Sequence, residues 1–195
     1  MTSFSALTNI HTKGLFGDYE GKNENELLKI SELKDLLIVQ IAKYKRSLIS
    51  NQDIKIDTLK LNDECLTVNY NSNTRVLWNG PNNWILVSTK KEVLNEINKK
   101  LKETDFAVTN LSHSRAIIQI EGKNTKEILK KGCPYNFNEL KKNNSLNSTY
   151  NGMSVTIDML DDNTDKIRIF TLRSFGESLY HSITDACLEF GYKSI

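Results

Sequence analysis

The strongest constraint on the fold is a faint echo within the chain. "LLIVQIAKYKRSLIS" (Leu36–Ser50) is matched by "AIIQIEGKNTKEILKKG" (Ala116–Gly132), each an apolar run with a central Gln-Ile pair ahead of a basic segment. Each run is too short for a core helix and is bounded by charge, so it predicts a strand. After the first comes a short helical or irregular stretch to about Leu59, then "TRVLWNGPNNWILVS". Its apolar arms flank Asn79-Gly80-Pro81-Asn82-Asn83 and predict a hairpin. "TKKEVLNEINKKLKE" then places Val93, Leu94, Ile97 and Leu101 at helical spacing, with Thr89 as the expected cap. After the second run comes a helix expected to be capped by Asn124 or Thr125 and closed by Gly132 ahead of Pro134. A polar loop (136–152), a hairpin turning at Asp161–Asp165 and a helix follow, the helix setting Leu179, Ile183, Ala186, Leu188 and Phe190 mostly on one face.

The halves thus share an order, and the sequence predicts an α+β fold of two ferredoxin-like β-α-β-β-α lobes from an internal duplication at a spacing of about 80 residues. The expected divisions are a polar arm over 1–30, a first lobe over 31–106 and a second over 107–195, forming one compact domain overall. The arm has no sustained period and would need a partner surface to become ordered.

Composition narrows the functional classes. With a formal net charge of +2 over 195 residues, the chain lacks the basic excess of a nucleic-acid or anionic-membrane binder. Three widely spaced cysteines, Cys65, Cys133 and Cys187, contain no CxxC pair, which fits reduced thiols in a cytoplasm. No stretch reaches eighteen apolar residues, and neither GxGxxG nor GxxxxGK[ST] occurs. "VLWNGPNNWILV" does not match the aromatic pattern of an RNA-binding sheet.

His113 and Cys133, about 20 residues apart, are the one pair that resembles a base and a nucleophile. A reactive thiolate usually sits at a helix N-terminus, whereas Cys133 follows a helix-closing glycine. The expectation is therefore that Ser112 and His113 turn the chain into a strand, and that Arg115 at its start holds a carboxylate or a main-chain carbonyl. His11 and His181 stand apart, and no metal-ligand spacing is present. Asp161, Asp162 and Asp165 are assigned to turn geometry.

Four segments in order resemble a known family. "ISELKDLLIVQIA", the W-x-G-P-x-x-W hairpin in "LWNGPNNWILV", "LSHSRAIIQIEGKNTKEILKKGCP" and "RSFGESLYHSITDACLEFG" resemble the gamma subunits of heterotetrameric sarcosine oxidases. One departure is Asn110, where that family often has Asp. Asn keeps a carbonyl oxygen as acceptor. The resemblance implies a fold similar to the folate-binding domain of the glycine-cleavage T-protein. It further implies a cytoplasmic, non-catalytic subunit that supports oxidative demethylation of sarcosine to glycine. The resemblance places FAD, FMN, NAD, tetrahydrofolate and zinc on alpha, beta and delta partners, with no catalytic, cofactor or metal residue in this chain. Trp78, Trp84, His113, Arg115 and Arg173 are then the structural or interface candidates. A stand-alone folate-binding or aminomethyltransferase-like protein is the rival reading.

Overall fold

A computed structural model describes residues 5–161 and 166–195, so Asp162 and Asp165 of the expected turn lie outside the described residues. The chain divides into two compact units, one of residues 1–34, 114–142 and 146–195, the other of residues 35–113 and 143–145.

The N-terminal segment carries two strands, β1 (Gly14–Phe16) and β2 (Leu28–Glu32). The surface that orders it belongs to this same chain, because both strands enter the sheet of the C-terminal unit. Leu28 and Ile30 alternate with half-buried Lys29 and Ser31, a period-two pattern that five residues display too briefly to be read with the polar arm around them.

The unit over 35–113 opens with β3 (Leu37–Lys43), the expected strand. No helix follows it. Instead a loop and a 3-10 turn (Asn51–Asp53) lead to a two-residue-strand hairpin, β4 (Lys55–Ile56) and β5 (Leu59–Lys60). Then come β6 (Val68–Tyr70), β7 (Thr74–Gly80), β8 (Asn83–Ser88), α1 (Val93–Lys100) and β9 (Phe106–Asn110). The β7–β8 hairpin has Asn82 at φ 56° and a bulge between Trp78 and Gly80. α1 buries Val93 and Ile97 at i,i+4 spacing. Its N-cap is Glu92, three residues past the expected Thr89, whose hydroxyl donates to Asn73 Oδ1 (3.3 Å). Leu37, Val39, Ile41, Val76, Trp84 and Leu86 on one sheet face pack with Val93, Ile97 and Phe106 into this unit's core.

The other unit continues with β10 (Arg115–Glu121), α2 (Thr125–Gly132), β11 (Ser145–Tyr150), β12 (Met153–Met159), β13 (Lys166–Leu172), α3 (Gly176–Cys187) and β14 (Tyr192–Ser194). β11 occupies part of what the sequence suggested was a polar loop. Its turn into β12 is Asn151-Gly152, both at positive φ (47° and 82°), the dipeptide that two-residue hairpins prefer. α2 starts after Asn124 as expected, although that side chain makes no cap hydrogen bond. The Thr125 hydroxyl instead donates to the Gly122 carbonyl (2.6 Å). In α3, Leu179, Ile183 and Ala186 are buried, whereas Leu188 lies past the last helical residue and is exposed.

The two principal sheets run β1-β14-β2-β10-β13-β12-β11 and β6-β7-β8-β3-β9. With β6 set aside in one sheet and β1, β2 and β11 in the other, the four remaining strands of each, ranked in chain order, lie in the spatial order four-one-three-two: β9-β3-β8-β7 and β14-β10-β13-β12, with β2 inserted between β14 and β10. The fold is α+β, with strands predominating. No helix among the described residues is long and apolar enough to cross a membrane.

Candidate functional site

The sequence-predicted residues fall in two places. In the unit over 35–113, Trp78 and Trp84 face each other directly across the β7–β8 pair. Trp84 is wholly buried, and its indole N–H donates to the Asn62 carbonyl at 2.6 Å. Trp78 is half-buried, and its carbonyl accepts from the Ser145 hydroxyl (3.2 Å). His113, the last residue of this unit before β10, is exposed. Just before it, Asn110 Oδ1 accepts from the Ser112 N–H (3.0 Å) and hydroxyl (2.7 Å), and Ser112 Oγ in turn accepts from the Ile38 N–H (3.0 Å). The asparagine therefore supplies the acceptor that this turn requires.

In the other unit, Arg115 and Arg173 are brought together. Arg115 opens β10 opposite Leu172, and the Arg173 N–H donates to the Ser114 carbonyl at 2.9 Å. Arg115 Nη1 leans on the carbonyl and hydroxyl of Ser114, both at 3.4 Å. Burial lowers the Arg115 pKa from the ordinary guanidinium value. Leu172 and Phe175 stand exposed beside these arginines. Half-buried Arg115 and Arg173 thus share one end of the β10–β13 pair with exposed Leu172 and Phe175.

The Cys133 thiol is buried, and burial pushes its pKa up to about 12. That is the reverse of an activated nucleophile, and His113 belongs to the other unit. Cys187 is likewise buried and raised to about 12, by burial against a smaller opposing pull from Lys131. His11 packs edge-on to Tyr180 (5.6 Å between centroids) with its Nε2 buried and unpartnered. Burial lowers its pKa, Glu32 opposing and Lys34 and Lys13 assisting. His181 is exposed on α3. Among the described residues no group of three His, Cys, Asp or Glu side chains is placed to hold a metal ion.

Sequence reasoning missed one polar cluster. The β4–β5 turn is Asp57-Thr58, both at positive φ (46° and 71°), a conformation that is a true outlier for a β-branched threonine. The Asp57 carboxylate accepts from the Thr74 hydroxyl (2.5 Å), Asn71 Nδ2 (3.0 Å) and Lys90 Nζ (3.2 Å). Its backbone N–H donates to both Glu96 carboxylate oxygens (3.2 and 3.1 Å). Burial alone would raise the Asp57 pKa, but the hydrogen bonds from Thr74, Asn71 and Lys90 outweigh it and hold the carboxyl below its ordinary value. Such a carboxylate is a poor base. Asp57, Lys90, Glu96, Lys99 and Lys100 line an open groove of about 450 Å³. Its donors and acceptors come from segments far apart in sequence, and no local spacing betrays them.

Comparison with known proteins adds to this geometry. The sequence pattern that defines the sarcosine oxidase, gamma subunit family matches residues 55–189. A sarcosine oxidase subunit gamma from Corynebacterium sp. (strain U-96) is 28% identical over 122 residues, covering 61% of this chain and 58% of that protein. Among solved structures, a chain of the heterotetrameric sarcosine oxidase from Corynebacterium sp. U-96, in complex with pyrrole 2-carboxylate, superposes with a TM-score of 0.74. It is 22% identical and 87% of each chain is covered. The glycine cleavage system aminomethyltransferase T from Bartonella henselae superposes with a TM-score of 0.60 at 12% identity, over 82% of this chain and 46% of that one. At these identities the superpositions establish a shared fold.

Proposed function

The chain belongs to the sarcosine oxidase, gamma subunit family, and from that membership we propose that it is the gamma subunit of a heterotetrameric sarcosine oxidase. The observation that carries the reading is the family match over residues 55–189, on a fold that superposes on a chain of such an enzyme over most of its length. In this reading the chain turns over no substrate. Alpha, beta and delta partners carry FAD, FMN, NAD, tetrahydrofolate and zinc, and together they demethylate sarcosine to glycine in the cytoplasm. The buried, proton-retaining Cys133 supports a supporting role over a thiol enzyme. The common four-one-three-two strand order supports reading the two units as copies of one ancestral lobe.

Trp84 is a structural anchor in this reading. Arg115 and Arg173, with Leu172 and Phe175 beside them, form a contact surface for a partner. Arginine flanked by apolar side chains is the composition that interface centres favour. Trp78 and His113, less buried than Trp84, are interface candidates of the other unit taken by itself.

Co-expression with the other three subunits tests the proposal. The chain is expected to co-purify in a stoichiometric complex whose sarcosine oxidation falls when the chain is omitted. An equally active and stable complex formed without it would refute the reading. Calorimetry with tetrahydrofolate on the isolated chain separates the rival, since micromolar binding would favour a stand-alone folate protein.

A further inference from the structure

The connection that leaves β3 differs in kind from its topological counterpart. After β10, in the other unit, the chain forms α2 and buries Ile128 and Leu129. After β3 it forms a projecting loop over 44–50 that contributes no residue to the core cluster of its unit. Leu48 is 100% exposed, and Ile49 (37%) and Tyr44 (38%) are exposed beside it. A single exposed leucine is ordinary, but three large apolar side chains within six residues form a patch.

The loop is also preshaped. The Tyr44 N–H donates to the Asp105 carbonyl (2.9 Å) and the Ser47 N–H to the Tyr44 carbonyl (3.0 Å). Lys43 Nζ donates to the Ile49 carbonyl (3.0 Å), and the Arg46 guanidinium lies 5.3 Å from the Tyr44 ring centroid. A segment already held in shape loses less entropy on docking. Its charge is one-sided: Lys43, Lys45 and Arg46 lie within the loop or at its base, and Lys102 joins Arg46 in acting on Asp105. Asp105 is itself engaged by the hydroxyls of Ser47 and Thr104.

We propose that the Tyr44–Ile49 loop is a docking knob, and that its socket is an apolar pocket rimmed by carboxylates on another subunit of the assembly. The inference rests on the gamma-subunit reading above. The charge argues for the occupant. A second copy of this chain would bring like-charged loops together across a two-fold axis, whereas an acidic rim complements them. A lipid surface would gain only about 1 kcal/mol per basic residue and one short apolar tip, too little for stable attachment.

The test uses the full chain titrated against the assembled alpha, beta and delta subunits, with Kd read by interferometry at two salt concentrations. Leu48 is wholly solvent-exposed, so Leu48→Asp is expected to leave thermal stability unchanged while weakening assembly at least about tenfold. Lys45→Glu with Arg46→Glu is expected to slow association and flatten its salt dependence. If both variants bind as wild type does, the knob is refuted and the gamma-subunit reading stands. If wild type itself does not join the other subunits, both fall. Normal assembly of Leu48→Asp together with lost binding to phosphatidylserine vesicles would overturn the proposal in favour of a membrane contact.

Discussion

Gly132 offers a test in which two physical readings differ in sign. It is the last residue of α2 and its φ is not positive, so the conformational freedom for which helix-closing glycines are selected is not in use here. What a Cβ would meet is the Tyr150 ring, with Cε1 and Cζ at 2.6 Å and Cδ1 at 2.7 Å. That is about 0.8 Å inside the 3.4 Å at which ordinary contact begins. The ring has little room to retreat. Tyr150 is wholly buried, its hydroxyl donates to the Ile128 carbonyl at 3.1 Å, and the next N–H, of Asn151, donates to the Gly132 carbonyl at 2.9 Å. Overpacking of this kind costs roughly 1–3 kcal/mol, and a weakened tyrosine hydrogen bond adds about 1 kcal/mol. Against this, replacing glycine by alanine in a helix returns at most about 1 kcal/mol. Gly132→Ala is therefore expected to destabilise by about 2 kcal/mol, lowering Tm by roughly 4–8 °C for a chain of this size. Urea titration followed by far-ultraviolet circular dichroism, with calorimetry, is the suitable assay, because both tryptophans lie in the other unit. In a Tyr150→Ala background the same substitution should become neutral or stabilising, giving a coupling energy near 2 kcal/mol. A Gly132→Ala protein as stable as wild type, or more so, would refute the contact argument and restore the helix-end one.

Trp84→Phe removes the indole donor from the buried Asn62 carbonyl and is expected to cost about 2–3 kcal/mol in urea denaturation. Trp78→Phe, at a half-buried position, should cost under about 1 kcal/mol. Ellman's reagent at pH 8 should find one fast thiol, exposed Cys65, with Cys133 and Cys187 reacting only after denaturation. Those two thiols and the Tyr192 hydroxyl, each raised to about 12 chiefly by burial, hold their protons more tightly folded than unfolded. Their contribution to stability is complete below the ordinary thiol value near 9 and is lost as pH rises toward 12. The urea midpoint should therefore be level through neutral pH and fall above pH 9, and a midpoint that rises there would contradict the burial of these groups.

Where a segment's burial follows its own periodicity, it was legible before the structure. The apolar run of β3, the hairpin around Asn82 and the Val93/Ile97 face of α1 all lie where the pattern sets them. β11 was legible in principle, because Asn151-Gly152 marks its turn, but polar Asn147, Ser148 and Thr149 hide the alternation before it. β1 and β2 were not, since three- and five-residue strands become strands through partners contributed from the far end of the chain. The site divided similarly. Arg115 and Arg173 were visible as charges beside apolar runs, and their shared attachment to Ser114 needed the β10–β13 register. The Asp57 cluster draws on residues 57, 71, 74, 90 and 96, and only the folded chain unites them.

The place of β2 within its sheet sets an order of events during synthesis. It is flanked by β10 on one side and β14 on the other, so its first partner emerges from the ribosome after residue 115 and its second only with Tyr192. The unit over 35–113 has all five strands of its sheet in hand long before then. At the usual 5–20 residues per second, β2 spends on the order of ten to thirty seconds with its outer edge open. An open edge invites pairing with a neighbouring nascent chain. The three-residue strand at Tyr192–Ser194 is thus the latch of the C-terminal unit: until it is made, the outer edge of β2 has no partner.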